Sequence, residues 1–369
     1  MPEMMKQWYV QGTNGAESLH LREVPIPVPG DYEVLVKFHA ASLNYRDIMI
    51  TTGTYVWSVR DGIVPGYLHP PLPTNPLTHQ QPLTHLHPSS DAAGTIHTTG
   101  PKVTRFKPGT RVSPIFHLTH LYGPFHETNF SSSLGAKHDG IFQEYAIYNE
   151  QSCVEIPSHL TFREAATLPC AGVTAWNALY GGPRALKPGE TVLTQGTGGV
   201  SIFAAQFAKI GGAEVISTTS SGEKAERLKG EIGADYVINY VEDEGWGGTA
   251  KGLSRRGRGA DFVVEIGGAK TMGESVKAVA IDGQIAVIGR RAGNGFSGDG
   301  EGSHTTSVST IRRVLVGSRQ LHEEMNLAIE VNGLRPVVDE RVFGLGELKE
   351  AFRYFETGRH FGKVVVDFE

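Results

Sequence analysis

Six residues, Gly196-Thr197-Gly198-Gly199-Val200-Ser201, form a glycine-rich turn between a predicted strand over 190–195 and a predicted helix over 200–209. Gly196 permits a tight turn, and Gly198 lets the backbone approach a pyrophosphate closely. The N–H groups that open the following helix favour a bound phosphate. Ser201 takes the place of the third glycine of G-x-G-x-x-G, and its small side chain can still allow close packing of helix and strand. The competing interpretation is a tight turn without a ligand; the strands that follow in order favour a dinucleotide site.

The residues about 20 positions after the first glycine predict which dinucleotide is bound, because NAD sites usually place an acid there on the ribose hydroxyls. This chain instead has Ser217-Thr218-Thr219-Ser220-Ser221, followed by Lys224. Hydroxyls and a lysine can hold a 2′-phosphate, which a carboxylate would repel. Glu223 is a helix-opening residue on the ordinary interpretation, although it weakens this argument if it faces the ribose. We therefore predict NADPH as the cofactor, with Thr219, Ser220, Ser221 and Lys224 at its phosphate end.

The elements around the turn predict an α/β protein. Apolar strands are predicted over 190–195, 213–219, 235–240, 260–268, 283–289 and 312–318, with helices between several of them. This alternation is typical of a doubly wound parallel sheet covered on both faces. The first part of the chain differs: strands are predicted over 34–38, 108–116 and 140–156, and residues 44–47 open a short helix. That pattern indicates an antiparallel, barrel-like first domain.

Composition excludes several classes of protein. The 369 residues hold 34 Lys+Arg against 39 Asp+Glu, a formal charge of −5, which argues against a nucleic acid or an anionic membrane as partner. No run approaches the roughly 20 apolar residues that span a bilayer. The two cysteines, Cys153 and Cys170, form no CxxC pair, so a four-thiolate zinc site is excluded. With no signal peptide apparent, we expect a cytoplasmic protein acting on a small-molecule substrate.

Several ordered motifs now resemble one family. They are LNYRD (43–47), SDAAG (90–94), KPGTRV (107–112), LPCAGVTAWNAL (168–179), GTGGVS (196–201), INY (238–240) and HFGKVVV (360–366). The chain resembles the medium-chain dehydrogenase/reductase superfamily, in its zinc-independent, quinone-oxidoreductase-like branch. The resemblance implies a GroES-like β-rich catalytic domain over 1–156, a Rossmann domain over 157–318, and a return to the catalytic domain over 319–369. It also implies a homodimer, through strand pairing of the Rossmann sheets.

The same resemblance predicts that no metal is bound. Zinc-dependent members carry a Cys at the position of Asn44, His-Glu at Ser90-Asp91, and a Cys at Cys170. One thiolate cannot hold a catalytic zinc, which needs three protein ligands and an open position. Cys170 is therefore expected to be a small buried residue, and hydrogen bonds must polarise a substrate carbonyl.

The resemblance also predicts the roles of the remaining candidate residues. Asn44 and Tyr45 lie in the substrate-facing stretch and can donate to a carbonyl oxygen, with Tyr45 able to return a proton or simply to pack. Arg46 is expected to be structural, and Asp47 to pair with a cation. Tyr55 resembles an aromatic residue at the pocket edge. The cofactor contacts that the resemblance implies are Thr174 at the nicotinamide, Tyr240 at the adenosine ribose-phosphate, Gly267, Ile288 and Gly289 in the crevice, and Phe361, Gly362 and Lys363 near the C-terminus.

One segment departs from the family pattern. Residues 67–89 hold six prolines and four histidines between Val64-Pro65-Gly66 and Ser90, and removing them restores the pattern. Proline at this density excludes helix and central strand. Two interpretations stay open, a real extended or disordered loop and a retained intervening sequence.

These features together predict a zinc-independent, NADPH-dependent oxidoreductase that transfers hydride to a quinone, an enone or a carbonyl compound, in the manner of an alcohol dehydrogenase-like protein. Two alternatives remain. One is an enoyl reductase of a biosynthetic pathway, and the other is a cofactor-binding protein with little turnover.

Overall fold

A computed structural model describes residues 2–55, 89–289 and 309–368. The predicted proline-rich segment 67–89 therefore lies outside the described residues, except for Ser89. Within the described ranges, no helix has the length and apolar character needed to cross a membrane.

The N-terminal part of the chain is rich in β-structure. A hairpin of β1 (Met4–Val10) and β2 (Leu19–Pro25) pairs antiparallel. It is followed by β3 (Glu33–Ser42), helix α1 (Tyr45–Thr51), β4 (Asp91–Thr99), β5 (Arg111–Pro114), β6 (Tyr145–Asn149) and β7 (Cys153–Glu155). The predicted β-segment over 140–156 is thus two strands, separated by one 3₁₀ turn at Glu150–Ser152. The antiparallel first domain predicted from the sequence is confirmed.

Three helical segments lead from this sheet to the next. Helix α2 (Phe162–Ala165) is followed by one π-helical turn over Leu168–Gly172 and by α3 (Val173–Tyr180). Trp176 of α3 packs edge-on against Phe207, with 5.4 Å between the ring centroids.

The second sheet alternates strands with helices. Its elements are β8 (Thr191–Gln195), α4 (Gly199–Ile210), β9 (Glu214–Thr219), α5 (Gly222–Gly230), β10 (Tyr236–Asn239), α6 (Trp246–Leu253), β11 (Ala260–Glu265), α7 (Met272–Ala278), β12 (Val279–Val287) and β13 (Thr310–Arg313). All neighbouring strands pair in parallel, in the order β10-β9-β8-β11-β12-β13. The predicted doubly wound parallel sheet is confirmed.

The last predicted strand, over 312–318, is partly wrong. The observed strand β13 ends at Arg313, and Val316 has φ of 47°, a left-handed conformation that no β-strand adopts. Asn177 holds this irregular backbone by donating from Nδ2 to the Val316 carbonyl at 2.6 Å.

The chain then returns to the first sheet. Helix α8 (Arg319–Asn332) is followed by β14 (Val338–Gly344), α9 (Leu348–Glu356) and β15 (Lys363–Asp367). Strand β15 pairs antiparallel with β3 and parallel with β14. The strand order of the first sheet is β14-β15-β3-β4-β5-β7, with β6 paired to β3. The exact domain limits at 156 and 318 stay a prediction.

The parallel sheet is held by a core that helix α4 shares with the strands beneath it. Phe203 and Phe207 are at most 2% exposed, and their rings stack with centroids 5.6 Å apart. They belong to the same buried cluster as Val192 of β8 and Val215 of β9. Each such aromatic side chain, once buried, contributes roughly 1.5–3 kcal/mol of transfer free energy. This packing fixes the N-terminal end of α4 above the sheet edge.

Candidate active site

The carboxyl ends of five adjacent parallel strands carry most of the predicted cofactor residues. Gly196 follows β8, Thr219 ends β9, Tyr240 follows β10, Gly267 lies two residues beyond β11, and Ile288 follows β12. Parallel pairing places all of these strand ends at one edge of the sheet. The chain runs outward from β8 to β9 and β10 and then crosses to β11, so a crevice opens between β8 and β11. Open α/β sheets bind ligands at such a point.

The glycine turn has the conformation that the sequence predicts. Gly196 has φ of 71°, and its N–H donates to the Thr218 carbonyl at 2.7 Å. Gly198 is the N-cap of α4, with φ of −79° and ψ of 169°. A Cβ added at either glycine would meet no heavy atom within 4 Å. Ser201 donates from Oγ to the Gln195 carbonyl at 2.5 Å and is 1% exposed. The turn thus offers open space beside a helix N-terminus, which suits a pyrophosphate.

A buried carboxylate that the sequence analysis missed fixes the loop on the other side of the crevice. Glu265, the last residue of β11, is fully buried and accepts from Gln195 Nε2 at 2.7 Å and from the backbone N–H groups of Gly267 and Gly268, both at 2.8 Å. It also accepts from the hydroxyls of Thr271 and Ser275. A carboxylate directly after the apolar run Phe262–Val264 is the signal that was available. The network ties the end of β8 to the loop that contains Gly267.

The C-terminal motif lies directly on the glycine turn. Gly362 donates from its N–H to the Thr197 carbonyl at 3.1 Å and forms a parallel bridge with Gly198. A Cβ at Gly199 would lie 2.5 Å from Lys363 Cδ, so the lysine stem passes the start of α4. Phe361 is 1% exposed, and the Arg227 guanidinium lies 4.1 Å from its ring centroid. The structure therefore brings two predicted groups of cofactor residues together.

The Lys363 ammonium reaches the start of α1 in the first sheet's domain. Its Nζ atom donates to the Leu43 carbonyl and to Asn44 Oδ1, both at 2.6 Å, and lies 3.4 Å from Asp91 Oδ2. Lys363 is 3% exposed and Asp91 is fully buried, so this ion pair is inside the protein. One side chain thus joins the glycine turn to the predicted substrate-facing Asn44.

The other residues of α1 surround this point with aromatic and ionisable groups. Tyr45 is 47% exposed, whereas Arg46 is buried and donates from Nη1 to the Leu134 carbonyl at 2.7 Å. The Arg46 guanidinium lies 5.3 Å from the half-buried Tyr55 ring centroid. Asp47 accepts from the Asn44 N–H at 2.8 Å, and burial raises the pKa of its carboxyl to about 6. Thr174 is buried on α3.

The residues predicted to hold a 2′-phosphate lie at the end of β9 and the start of α5, beside Tyr240 at the end of β10. Tyr240 donates from its N–H to the Thr219 carbonyl at 3.0 Å, and Ser220 is exposed. Ser221 caps α5, its Oγ accepting from the Lys224 N–H at 3.3 Å. Lys224 Nζ donates to the carbonyls of Gly358 at 3.0 Å and His360 at 2.8 Å. The ammonium therefore also holds the C-terminal segment, and the phosphate-binding role of these residues stays a prediction.

The residues at the zinc-ligand positions of the family do not fit a catalytic zinc. Asn44 presents its oxygen to the Lys363 ammonium, and Ser90 donates from Oγ to Asp91 Oδ1 at 2.8 Å. Cys170, expected to be a small buried residue, is partly exposed, and desolvation raises the pKa of its thiol well above the usual value. Among the residues described, no three His, Cys, Asp or Glu side chains are grouped so that they could hold a metal ion. A cationic lysine among one thiol, one amide and one carboxylate disfavours a second cation.

Comparison with known proteins supports the two-part architecture. Residues 30–158 match the model of the alcohol dehydrogenase GroES-like domain, and residues 199–330 match the model described as zinc-binding dehydrogenase. A zinc-type alcohol dehydrogenase-like protein of Schizosaccharomyces pombe is 40% identical over 96% of each chain. A quinone oxidoreductase of Mus musculus is 28% identical over 78% of this chain and 74% of its own.

Solved structures show the same architecture. A crystal structure assigned as an alcohol dehydrogenase from Sinorhizobium meliloti 1021 is 36% identical, covers both chains completely and superposes with a TM-score of 0.85. The protein fold is therefore a GroES-like domain joined to a Rossmann-like parallel-sheet domain, and the chain is an oxidoreductase that belongs to the medium-chain dehydrogenase/reductase superfamily.

Proposed function

We propose that this protein is a zinc-independent, NADPH-dependent oxidoreductase that transfers hydride to a quinone, an enone or another carbonyl compound. The observation that carries the proposal is the position of Lys363, whose stem contacts Gly199 of the dinucleotide turn and whose ammonium binds Asn44. This contact supports the proposal, because it joins the residue that we propose to bind a carbonyl to the turn that we propose to bind the cofactor. A quinone oxidoreductase among the relatives supports the substrate class.

The cofactor assignment rests on the residues at the sheet edge. When bound, NADPH supplies a hydride, and this chain has to hold it and to shape the space around it. Gly198 and the N-terminus of α4 suit the pyrophosphate, and Gly267, Ile288 and Gly289 border the crevice. Ser220 and Ser221, with no carboxylate in the stretch 217–221, support the preference for a 2′-phosphate.

The substrate assignment rests on α1. Asn44 Nδ2 is buried and can donate to a carbonyl oxygen, which stabilises the negative charge that develops there as hydride arrives at carbon. Tyr45 is half-exposed next to it and can return a proton from solvent. Tyr55 borders the same region through its contact with Arg46. No step requires a Lewis acid.

The test is steady-state oxidation of NADPH with a panel of quinones, small enones, aldehydes and ketones. We expect turnover with at least one class and a kcat lowered roughly 10-fold or more by Tyr45→Phe if Tyr45 returns the proton. NADPH binding without turnover of any compound would favour the second interpretation, a cofactor-binding protein. Turnover restricted to acyl thioesters would favour an enoyl reductase.

The proposed partner is a second copy of the chain. Strand β13 is an end strand of the parallel sheet in the described region, and Ile311 on it is 37% exposed, which supports pairing of two sheets edge to edge. Sedimentation at twice the chain mass tests this homodimer. Both cysteines are free thiols, which supports a reducing, cytoplasmic compartment.

A further inference from the structure

The side-chain amide of Asn44 has only one orientation compatible with its surroundings. Lys363 Nζ lies 2.6 Å from the Oδ1 position of this amide. An ammonium group donates hydrogen bonds and accepts none, so the amide atom that faces it has to be the oxygen. The planar carboxamide then directs Nδ2 away from the lysine. Which terminal atom of an asparagine is oxygen and which is nitrogen is often ambiguous, and here the ammonium donor decides it.

The amide nitrogen that this orientation presents has no partner among the residues that the structure describes. Asn44 is 8% exposed, and its Nδ2 is a buried donor for which the described part of the chain offers no hydrogen-bond acceptor. Buried donors are nearly always paired in folded proteins, because an unpaired donor loses its hydration without compensation. An unpaired donor fixed in direction is suited to the oxygen atom of a ligand.

The lysine is itself held rigidly. Its ammonium has two further acceptors, the Leu43 carbonyl at 2.6 Å and Asp91 Oδ2 at 3.4 Å. Asp91 is in turn held by Ser90 Oγ at 2.8 Å. The lysine stem lies against Gly199, where a Cβ would approach Cδ to 2.5 Å. The direction of Asn44 Nδ2 is therefore set relative to the N-terminus of α4.

We propose that Lys363, held by Asp91, is a positioning residue that orients Asn44 so that Nδ2 donates to the carbonyl oxygen of the substrate. This inference rests on the proposed function. It assigns the Lys363 ammonium to orienting Asn44, in place of the cofactor contact predicted for Lys363 from the sequence. It also defines what Asn44 recognises: a hydrogen-bond acceptor such as a quinone or enone oxygen. Without the ammonium, the amide can turn its oxygen toward the substrate oxygen and repel it.

The variant Lys363→Met tests this role, because it removes the ammonium and keeps an unbranched stem against Gly199. Asp91 would then be buried without its cation, which destabilises proteins, so the charge-balanced variant Lys363→Met/Asp91→Asn is measured in parallel. For each folded variant we expect kcat to fall roughly 10- to 100-fold, while the NADPH dissociation constant stays within twofold of wild type. Substitution of Asn44→Ala should give a similar loss.

A double-variant cycle separates positioning from general structural support. If Lys363 acts through Asn44, Lys363→Met adds no further loss of kcat in the Asn44→Ala background. Additive losses would overturn the proposal. Weaker NADPH binding with unchanged kcat would also overturn it, because Lys363 would then be a cofactor residue.

A measurement without turnover distinguishes this inference from the proposed function. The side-chain NH₂ signal of Asn44, assigned by its disappearance in Asn44→Ala, is followed by ¹⁵N–¹H spectroscopy while the saturated ketone cyclohexanone is added. We expect the signal to shift in wild type and to be unaffected by the ketone in the charge-balanced variant. A shift in wild type without turnover of any panel compound would refute the proposed reaction alone. Equal shifts in wild type and variant would refute the positioning role alone.

Discussion

Replacing Gly198 by alanine separates the cofactor role of the glycine turn from its structural role. Gly198 has φ of −79° and ψ of 169°, a conformation open to any residue, and a Cβ there meets no heavy atom within 4 Å. Alanine restricts the unfolded chain and so stabilises by about 0.4–1 kcal/mol. Alanine is also a poorer N-cap than glycine by a similar amount. We expect the free energy of unfolding without ligand to change by less than about 1 kcal/mol.

The effect on NADPH should be much larger. The added methyl group enters the open space that we assign to the pyrophosphate, whose oxygens must come within about 2.9 Å of the turn's N–H groups. We expect the dissociation constant for NADPH to rise at least 100-fold, which corresponds to about 2.8 kcal/mol.

Thermal unfolding with and without NADPH measures both quantities. At a concentration 100 times its dissociation constant, the cofactor stabilises the wild-type protein by about 2.7 kcal/mol. A 100-fold weaker variant at the same concentration gains only about 0.4 kcal/mol. The matched control is Gly230→Ala at the end of α5, where a Cβ also meets nothing within 4 Å. It should raise stability by up to about 1 kcal/mol and leave NADPH binding unchanged. A folded Gly198→Ala variant that binds NADPH within threefold of wild type would refute the assignment.

Three further predictions follow from the site. Calorimetry should give NADPH an affinity at least about 10-fold above that of NADH, a difference of 1.4 kcal/mol, and Lys224→Ala should weaken NADPH selectively; because Lys224 also binds the carbonyls of Gly358 and His360, that variant should melt at a lower temperature. Elemental analysis should find no stoichiometric zinc, and chelators should leave activity intact; one tightly held zinc lost together with activity would contradict the zinc-independent proposal. Burial raises the pKa of Asp47 from 3.8 to about 6, so its stabilising contribution is complete below pH 3.8 and is lost as the pH rises through 6. The free energy of unfolding of the wild-type protein, measured with denaturant, should therefore fall between pH 4 and pH 7, and Asp47→Asn should make this fall smaller by up to about 3 kcal/mol. An equal fall in both proteins would refute this assignment.

Much of the fold could be predicted because its signals are local. The pattern strand, glycine turn, helix over 190–209 predicted β8 and α4 closely, since periodicity and turn chemistry act over a few residues. The strand predicted over 312–318 extended too far, because the irregular backbone at Val316 is held by Asn177, a residue 139 positions away. No local pattern contains that contact.

In the candidate site, too, residues with a local signal were predicted and a residue that depends on a distant contact was missed. Glu265 was missed because Gln195, the donor that links it to β8, lies 70 positions away and reaches it only when β8 and β11 pair. Its other four donors come from the loop and the helix that directly follow β11. The roles predicted for Ser220, Ser221 and Lys224 stay predictions, although the structure places them at the end of β9 and the start of α5.

The sequence alone predicted the glycine-rich turn and the alternating strands and helices of the parallel sheet, because these signals are local in the chain. It also showed that Asn44 and Ser90 are not zinc-ligand residue types. Only the tertiary structure decided how the two halves of the site are joined. Lys363 meets Asp91 across 272 positions and Asn44 across 319. The pairing of β15 with β3 brings Lys363 close to Asn44, and the contact of Gly362 with Gly198 brings both to the glycine turn. The orientation of one amide thus depends on the pairing of distant strands in the first sheet, and its position beside the glycine turn depends on a contact between the two sheets. Local sequence preferences encode neither.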